Sequence, residues 1–183
     1  MNLLTLETNR LILRGLSPED MKYIFNNLSK SRIKEVLGHR SEADYLKEEQ
    51  KHINGYSSYN RRFILFLLTD KESGAIIGRC GLHNWNTGHK RAEIGYVMED
   101  ENFKRKGLMS EAVKTIIDYG FKELKLNRIE AIVGIGNVPS LKILEKNNFI
   151  KEGILRQHLC VADKYEDSAL FSILSDEYNS KDD

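Results

Sequence analysis

The chain changes its hydrophobic period across one short basic turn, and this change limits the fold more than any other feature. Residues 92–98 alternate as a strand does, whereas apolar residues from 108 to 124 recur at three- and four-residue intervals, as on one face of a helix. Between them lie the cations Lys104, Arg105 and Lys106, followed by Gly107. A strand that enters a helix through such a turn is typical of α/β domains, and the free N–H groups at the helix start attract anions. The pattern therefore predicts a phosphate-binding turn, against the alternative of a solvated loop that merely begins a helix.

Length and composition exclude several classes of protein. The chain has 183 residues, of which 40% are hydrophobic and 30% charged, which fits one ordinary globular domain. A net charge of +1 favours neither nucleic acid nor a membrane surface, so any basic site must be local. No run reaches the roughly 18 apolar residues of a membrane span, and the N-terminus lacks a signal-peptide pattern, so we expect a cytoplasmic protein. Cys80 and Cys160 are far apart and lack metal-ligand spacing, so we expect no metal site and no disulfide.

The remaining pattern predicts a mixed sheet with helices. Ser17 and Pro18 begin the first helix, and a weak stripe of Ala43, Leu46, Gln50 and Ile53 predicts a second over about 41–59. Three strands separated by polar turns predict an antiparallel meander, and the strand–helix–strand order that follows predicts parallel pairing beside it. The strands are predicted at 10–14, 62–69, 75–84, 92–98, 128–135, 149–155 and 164–174, and the later helices at 108–124 and 139–147. A polar tail over 176–183 is expected to fray.

A second glycine cluster follows the strand at 128–135. Gly134 and Gly136 precede a helix start, but Pro139 occupies the third glycine position of a dinucleotide fingerprint, which makes that interpretation poor. Asn137 is first of all a helix-capping residue, and its amide is also suited to a ligand amide.

Several segments in one order resemble a known family. The chain is similar to the GNAT acetyltransferase superfamily, specifically its branch of ribosomal-protein alanine N-terminal acetyltransferases (RimJ/RimL-like). The segments that carry the resemblance are 8–14, 17–20, 92–98, 104–112, 128–131, 137–140, 144–149 and 152–156. The resemblance implies one α/β (α+β) domain over 6–174, with a polar tail over 175–183. Its sheet would be mixed and mostly antiparallel, with a splayed parallel strand pair forming a coenzyme A cleft.

The resemblance also implies acetyl-CoA as co-substrate. Backbone N–H groups at Lys104, Gly107 and Met109 would hold its pyrophosphate, and its pantetheine arm would pair with the strand over 94–98. The implied cofactor-binding residues are Tyr96, Val97, Met98, Lys104, Arg105, Lys106, Gly107, Leu108, Met109, Ser110 and Asn137. The chain departs from the family pattern at Lys104 (usually Arg or Gln), at Arg105 (commonly Gly) and at Met109 (usually Gly or Ala).

Two residues are the candidates for proton transfer. Glu93 is the candidate general base, and its alternative role is an ion pair with Lys90 or Arg91. Ser140 matches the family position that protonates the leaving thiolate, and its alternative role is to satisfy N–H groups in the first turn of its helix. A backbone N–H near Tyr96 would polarise the thioester carbonyl, whereas the Tyr96 side chain itself suits a core position.

Other polar residues near the expected acceptor cleft are weaker candidates. His83 and Trp85 are placed to line an acceptor pocket, although one His-x-Trp pair is weak evidence. His158 and Cys160 are expected to be structural. Self-association is plausible, whereas contact with nucleic acid or a membrane is not expected.

These residues predict an N-acetyltransferase that acts on the N-terminal α-amine of a ribosomal or other protein by direct attack in a ternary complex. An α-amine has a pKa near 8, against about 10.4 for lysine, so it needs only a modest base. One alternative is a polyamine or aminoglycoside acetyltransferase, for which Glu42, Asp44, Glu48 and Glu49 are candidate acids unless they form a solvated helix face. The other is a catalytically silent acyl-CoA-binding regulator.

Overall fold

A computed structural model describes residues 3–55 and 62–179 of the protein. These residues form one eight-stranded sheet with helices packed against it. The strands are β1 Thr5–Glu7, β2 Leu11–Leu16, β3 Arg62–Asp70, β4 Ile76–Asn86, β5 Arg91–Met98, β6 Arg128–Gly134, β7 Ile150–Val161 and β8 Lys164–Leu174. The helices are α1 Pro18–Asn27, α2 Lys30–Leu37, α3 Glu42–Asn54, α4 Leu108–Lys122, α5 Val138–Lys146 and α6 Ser175–Asn179, with a 3₁₀ turn at Glu101–Phe103.

The strand order is β1-β2-β3-β4-β5-β6-β8-β7, and β5–β6 is its parallel pair. The predicted meander of β3, β4 and β5 is confirmed, as is the parallel pairing that follows it. The parallel pair requires a crossover, and α4 supplies it. The fold class predicted from the sequence is therefore confirmed.

Two cores lie on opposite faces of the sheet, and β3 contributes to both. Phe66 and Leu68 pack with the α4 side, whereas Leu67, which lies between them in the chain, packs with α1, α2 and α3. This alternation follows from the two-residue period of a strand. Because both faces of β3 are buried, its sequence reads as an unbroken apolar run rather than as alternation.

The region before β3 differs most from the prediction. β1 and α2 were not predicted, since β1 has three residues and α2 buries just Ile33 and Leu37. The predicted helix over 41–59 is α3, which ends at Asn54, and residues 56–59 lie outside the described residues.

The buried stripe predicted for α3 is wrong. Leu46 is 50% exposed and Ile53 is 69% exposed, whereas Tyr45 and Glu48 are buried. Glu48 is buried because the Nζ atom of Lys51 lies 3.1 Å from its carboxylate and Nη1 of Arg79 lies 3.7 Å from it. A hydrophobic pattern cannot identify a buried face that depends on ion pairs from another element.

The C-terminal end is also more ordered than predicted. The helix α6 occupies the start of the predicted polar tail, and its Tyr178 packs on Phe121 of α4 with 5.1 Å between ring centroids. One aromatic residue therefore anchors an otherwise polar segment. Within the described residues, no helix is long and apolar enough to cross a membrane.

A chain of ion pairs joins the strands where β5 and β6 pair. Arg128 holds Glu152 of β7 through two bonds, at 2.6 Å and 2.7 Å, and contacts Glu130 at 3.0 Å, while Glu130 accepts from Arg91 of β5 at 2.6 Å. The Arg128 guanidinium and the Ser172 hydroxyl lower the pKa of Glu152 to about 2. This carboxylate therefore stabilises the fold when it is ionised.

We expect Glu152→Gln to lower the free energy of unfolding at pH 7 by about 1 kcal/mol, a value reduced for the partial exposure of the pair. A depressed carboxyl pKa stabilises the fold above the ordinary value of 4.5, and that contribution is lost as the pH falls towards about 2. Urea unfolding across this pH range should therefore show the difference from wild type shrinking with acid. Glu145→Gln, at an exposed position of α5, is the matched control. A difference that does not depend on pH would contradict the assignment.

Candidate active site

The centre of the site is a cleft between β5 and β6. The two strands pair at three positions, from Arg91↔Arg128 to Glu93↔Glu130, and the pairing stops there although both strands continue. On its other side β5 remains paired with β4 up to Met98. Alternate backbone groups of β5 beyond Glu93 therefore face the cleft without a strand partner, which suits an extended ligand that pairs like a strand.

The basic turn lies beyond the C-terminal end of β5. Two of its residues adopt left-handed backbone angles, Arg105 with φ 62° and Gly107 with φ 79°. Gly107 is the N-cap of α4 and supplies no side-chain hydrogen bond to the helix. By contrast, Ser17, Ser29, Ser41 and Asn137 cap α1, α2, α3 and α5. No side chain of the described residues thus caps the first N–H groups of α4, and these groups are suited to binding an anion.

A clamp formed by Arg10 and Glu111 holds this turn against the start of β2. Nη1 of Arg10 donates to the carbonyl of Lys106 at 3.0 Å, and Nη2 lies 2.8 Å from Oε2 of Glu111. Glu111 also accepts from the backbone N–H of Arg10 at 2.9 Å and from the hydroxyl of Thr8. Burial opposes ionisation of Glu111, but these donors outweigh it and lower the pKa of the carboxyl. Sequence reasoning did not assign Arg10 or Glu111 a role, because 101 residues separate them.

The side chains of the turn point in different directions. Met109 is 8% exposed and belongs to the core beneath α4, so its side chain does not occupy the turn. Lys104 pairs with Glu101, and Nζ of Lys106 lies 5.4 Å from the centroid of the Phe103 ring. Met109 stands where the family usually has glycine or alanine. Because its side chain points into the core, it does not crowd the N–H groups that are suited to an anion.

Glu93 occupies the last paired position of β5, at the closed end of the cleft. Its Oε1 lies 3.3 Å from Nε2 of His83, and its Oε2 accepts from the Asn84 amide at 2.9 Å. Burial opposes ionisation of this carboxyl, but its interactions with His83 and Asn84 and the nearby charge of His158 outweigh burial and lower its pKa. The alternative ion pair of Glu93 with Arg91 is not formed, because Arg91 pairs with Glu130.

Tyr96 joins β5 to the start of α5 on the opposite side of the sheet. Its hydroxyl donates to the carbonyl of Ser140 at 3.3 Å, and burial raises its pKa to about 12. Asn137 caps α5 by accepting from the Ser140 N–H at 3.3 Å. Asn137, and not Ser140, therefore caps the helix. The Ser140 hydroxyl forms no hydrogen bond with the described part of the chain.

A cavity of about 550 Å³ opens beside the cleft, between α3 and strands β3 to β5. Its walls are mainly apolar, and the charged side chains among the described residues that line it are Glu48, Lys51 and Arg79. His83 lines this cavity, as considered from the sequence, whereas Trp85 packs against the core instead. Of the acids considered on α3, Glu48 reaches the cavity. Glu42 pairs with Lys30, Asp44 accepts from the backbone N–H of Ser41 in the capping box of the helix, and Glu49 accepts from Tyr45.

The arrangement brings a carboxylate, an open strand edge and an uncapped helix start to one cleft. His158, considered structural, contacts the buried Ser168 hydroxyl at 3.2 Å, and Cys160 lies exposed on β7. Asn84 was not considered from the sequence. It reaches Glu93 because the register of β4 against β5 shifts between His83 and Asn86, and no residue pattern in the sequence predicts this shift.

Comparison with known proteins identifies the family. Residues 10–150 match the acetyltransferase (GNAT) domain. The uncharacterized N-acetyltransferase p20 of Bacillus licheniformis is 36% identical over 95% of this chain and 98% of its own. The spermidine N(1)-acetyltransferase of Escherichia coli K12 is 29% identical over 91% of this chain and 87% of its own. The crystal structure of a ribosomal-protein-S5-alanine acetyltransferase from Vibrio fischeri superimposes with a TM-score of 0.67 at 26% identity, covering 96% of this chain and 98% of that one.

Enzymes of this family use acetyl-CoA, and the cleft fits such a co-substrate on two observations. The open edge of β5 suits its extended arm, and the uncapped start of α4 suits its pyrophosphate. Since the domain match covers most of the chain and relatives named N-acetyltransferases align along nearly all of it, this protein belongs to the GNAT acetyltransferase family and is an N-acetyltransferase.

Proposed function

We propose that the protein transfers the acetyl group of acetyl-CoA to the N-terminal α-amine of a protein or peptide, such as a ribosomal protein. The observation that carries this proposal is the charge of the cavity beside the cleft. Its carboxylate, Glu48, is matched by Lys51 and Arg79, and Arg79 also lies 2.8 Å from Glu99. A polyamine carries several positive charges and requires a surplus of carboxylates, whereas a peptide N-terminus carries one.

Within this reaction the start of α4 binds the pyrophosphate and β5 pairs with the pantetheine arm. The residues assigned to this binding are Tyr96, Val97, Met98, Lys104, Arg105, Lys106, Gly107, Leu108, Met109, Ser110 and Asn137, with the backbone supplying most of the donors. A cleft-facing backbone N–H of β5 polarises the thioester carbonyl. The Arg10–Glu111 clamp supports this arrangement, because it keeps the turn in the conformation that exposes its N–H groups.

The two proton transfers occur at opposite ends of the cleft. The acceptor ammonium loses its first proton at the Glu93 end, and the neutral amine then attacks the thioester carbon. As the C–N bond forms and the C–S bond breaks, the Ser140 hydroxyl gives its proton to the leaving thiolate, and the second proton of the amine nitrogen replaces it on Ser140. Two observations support these assignments: the Ser140 hydroxyl has no hydrogen-bond partner among the described residues, and Glu93 is partly buried.

A thiol-release assay with acetyl-CoA tests the acceptor class. Because the described residues that line the cavity carry no surplus negative charge, we expect kcat/KM for peptides with a free N-terminus to exceed that for spermidine and for aminoglycosides by at least about 10-fold, equivalent to about 1.4 kcal/mol. The comparison is made at equal ionic strength, since screening weakens contacts between exposed charges.

A variant of the cavity supplies the control. Lys51→Ala leaves Glu48 less compensated and should narrow the preference for peptides over spermidine, whereas Lys22→Ala, at an exposed position of α1 outside the cavity, should not. A wild-type preference for spermidine would overturn the proposal and favour the polyamine class of the Escherichia coli relative. Binding of acetyl-CoA without turnover of any amine would favour a silent regulator.

A further inference from the structure

We infer that His83 is the group that takes the proton from the acceptor amine and that Glu93 acts on it as a positioning residue. This inference rests on the proposed transfer to an amine and concerns the chemistry at the Glu93 end of the same site. Three observations carry it. The His83 ring directs Nε2 towards Glu93, the ring packs against Gly95, and both oxygens of the Glu93 carboxylate already have partners.

His83 is placed between Glu93 and the cavity. Its Nε2 lies 3.3 Å from Oε1 of Glu93, and the ring lines the cavity while 45% of the side chain is exposed. A neutral imidazole with its proton on Nε2, facing the carboxylate, has an unprotonated Nδ1 that can accept a proton. No polar atom of the described residues is hydrogen-bonded to that Nδ1.

The His83 ring packs against the backbone at Gly95. A Cβ atom at Gly95 would lie 3.0 Å from Cε1 and 3.3 Å from Nδ1 of His83, closer than ordinary packing allows. Gly95 and Glu93 alternate on the same face of β5, and both lie opposite β4 residues of that face. The absence of a side chain at Gly95 therefore lets the imidazole approach the backbone of β5 at the start of the stretch that has no pairing with β6 and borders the cleft.

The Glu93 carboxylate is poorly suited to take the proton itself. Each of its oxygens already has a partner, His83 or Asn84, and its side chain is 16% exposed, much less than that of His83. These partners favour the ionised form, which makes this carboxylate a weaker base than an ordinary one. Imidazole is the stronger base of the two groups and is closer to an α-amine in proton affinity.

Among the described residues, four charged side chains and one further histidine lie near His83. Glu93 faces it from β5, His158 of β7 contributes charge near Glu93, and Glu48, Lys51 and Arg79 line the same cavity. The cavity charges compensate one another, so Glu93 is the dominant electrostatic partner of the ring. A negative partner at Nε2 stabilises the imidazolium that forms when Nδ1 accepts a proton.

The step balances without any further reagent. Nδ1 of neutral His83 takes one proton from the acceptor ammonium, which leaves a neutral amine and an imidazolium paired with Glu93. The amine attacks the thioester carbon, Ser140 gives its proton to the departing thiolate and is reprotonated by the second amine proton, and His83 returns its own proton to solvent through its exposed edge. One acetyl group is transferred and one proton is released for each turnover.

The test compares His83→Ala with wild type on a peptide acceptor. We expect kcat/KM at neutral pH to fall about 100-fold, the lower range for loss of a general base, with a smaller change in the KM for acetyl-CoA. Added imidazole should restore part of the rate to His83→Ala, an effect that a purely structural role would not produce. His89→Ala, at an exposed position in the turn between β4 and β5, is the matched control and should behave as wild type.

Glu93→Gln separates the two roles. With Glu93 as positioning residue, this variant should keep a pH-dependent rate with a displaced inflection, whereas His83→Ala should lose that inflection. The inference is overturned if His83→Ala retains the wild-type rate and pH profile, or if Glu93→Gln alone abolishes the inflection.

The ring itself can be examined without turnover. Nitrogen NMR of the wild-type protein with labelled histidine should show neutral His83 as the Nε2–H tautomer. A neutral ring protonated on Nδ1 overturns the inference whether or not an amine acceptor has been found. If the wild-type enzyme turns over no amine, the proposed function fails, and this tautomer measurement still decides the role of the Glu93 contact.

Discussion

Gly107→Val is expected to bind acetyl-CoA about 100-fold more weakly than wild type. Gly107 has a φ of 79°, and a β-branched residue is strongly disfavoured there. The strain of about 1–2 kcal/mol and the loss of a charge-assisted hydrogen bond worth about 1.5–3 kcal/mol add to about 2.5–5 kcal/mol, and the 100-fold loss corresponds to the lower end of this range. Space is not the obstacle, because the nearest atom to an added Cβ is Nη2 of Arg10 at 3.6 Å. Isothermal titration with acetyl-CoA measures the change.

Two further variants test whether the backbone or the cations dominate. Gly107→Asn should bind nearly as well as wild type, since asparagine tolerates the left-handed conformation. Lys104→Ala should weaken binding by about 3-fold at most, because its charge is exposed and already paired with Glu101. Equal and mild effects of Gly107→Val and Lys104→Ala would show that the helix start and its turn do not hold the pyrophosphate.

Gly78→Ala is expected to damage both stability and the cleft. A Cβ atom at Gly78 of β4 would lie 2.5 Å from the carbonyl oxygen of Val97 and 3.2 Å from Cα of Met98, so the backbone of β5 must move. We expect a loss of about 3 kcal/mol in the free energy of unfolding, at the upper end of ordinary overpacking. This lowers the melting temperature by about 6–12 °C for a chain of this length. The displaced segment is the strand edge assigned to the pantetheine arm.

Gly81→Ala separates the two effects. A Cβ atom there would lie 2.4 Å from the carbonyl oxygen of Ile64, so the displacement falls on β3 instead of β5. Both variants should lose comparable stability in thermal melts, but Gly78→Ala should bind acetyl-CoA at least about 10-fold more weakly than Gly81→Ala at a temperature where both are folded. Equal affinities would remove the β5 edge from the binding site.

Residue patterns predicted the central part of the domain well and the region before β3 poorly. The strand β8 and the start of α4 have the bounds expected from alternation and helical spacing, because both elements bury a regular apolar face. The buried face of α3 was missed because Glu48 enters the interior in the company of Arg79, a β4 residue whose position depends on the sheet. Short elements such as β1 and α2 offer too few buried residues to be distinguished from loops.

In the candidate site too, some features could be predicted from the sequence and others could not. The amino-acid order alone placed a glycine and three cations between a strand and a helix, and it placed Glu93 on that strand. Local periodicity and turn chemistry are short-range properties, so they can be read along the chain. The left-handed angle at Gly107, the missing cap of α4 and the point where β5 and β6 part are visible only when the strands are assembled.

The long-range contacts decided which residues act together. Arg10 meets Glu111 across 101 positions, and Arg91 pairs with Glu130 and thereby leaves Glu93 to His83 and Asn84. The partner of a charged side chain depends on strand order and register, and the chain sequence does not state either of these. The sequence therefore determined the family and the kind of cleft, whereas the packing of the sheet determined the hydrogen-bond partners on which the proposed proton transfer depends.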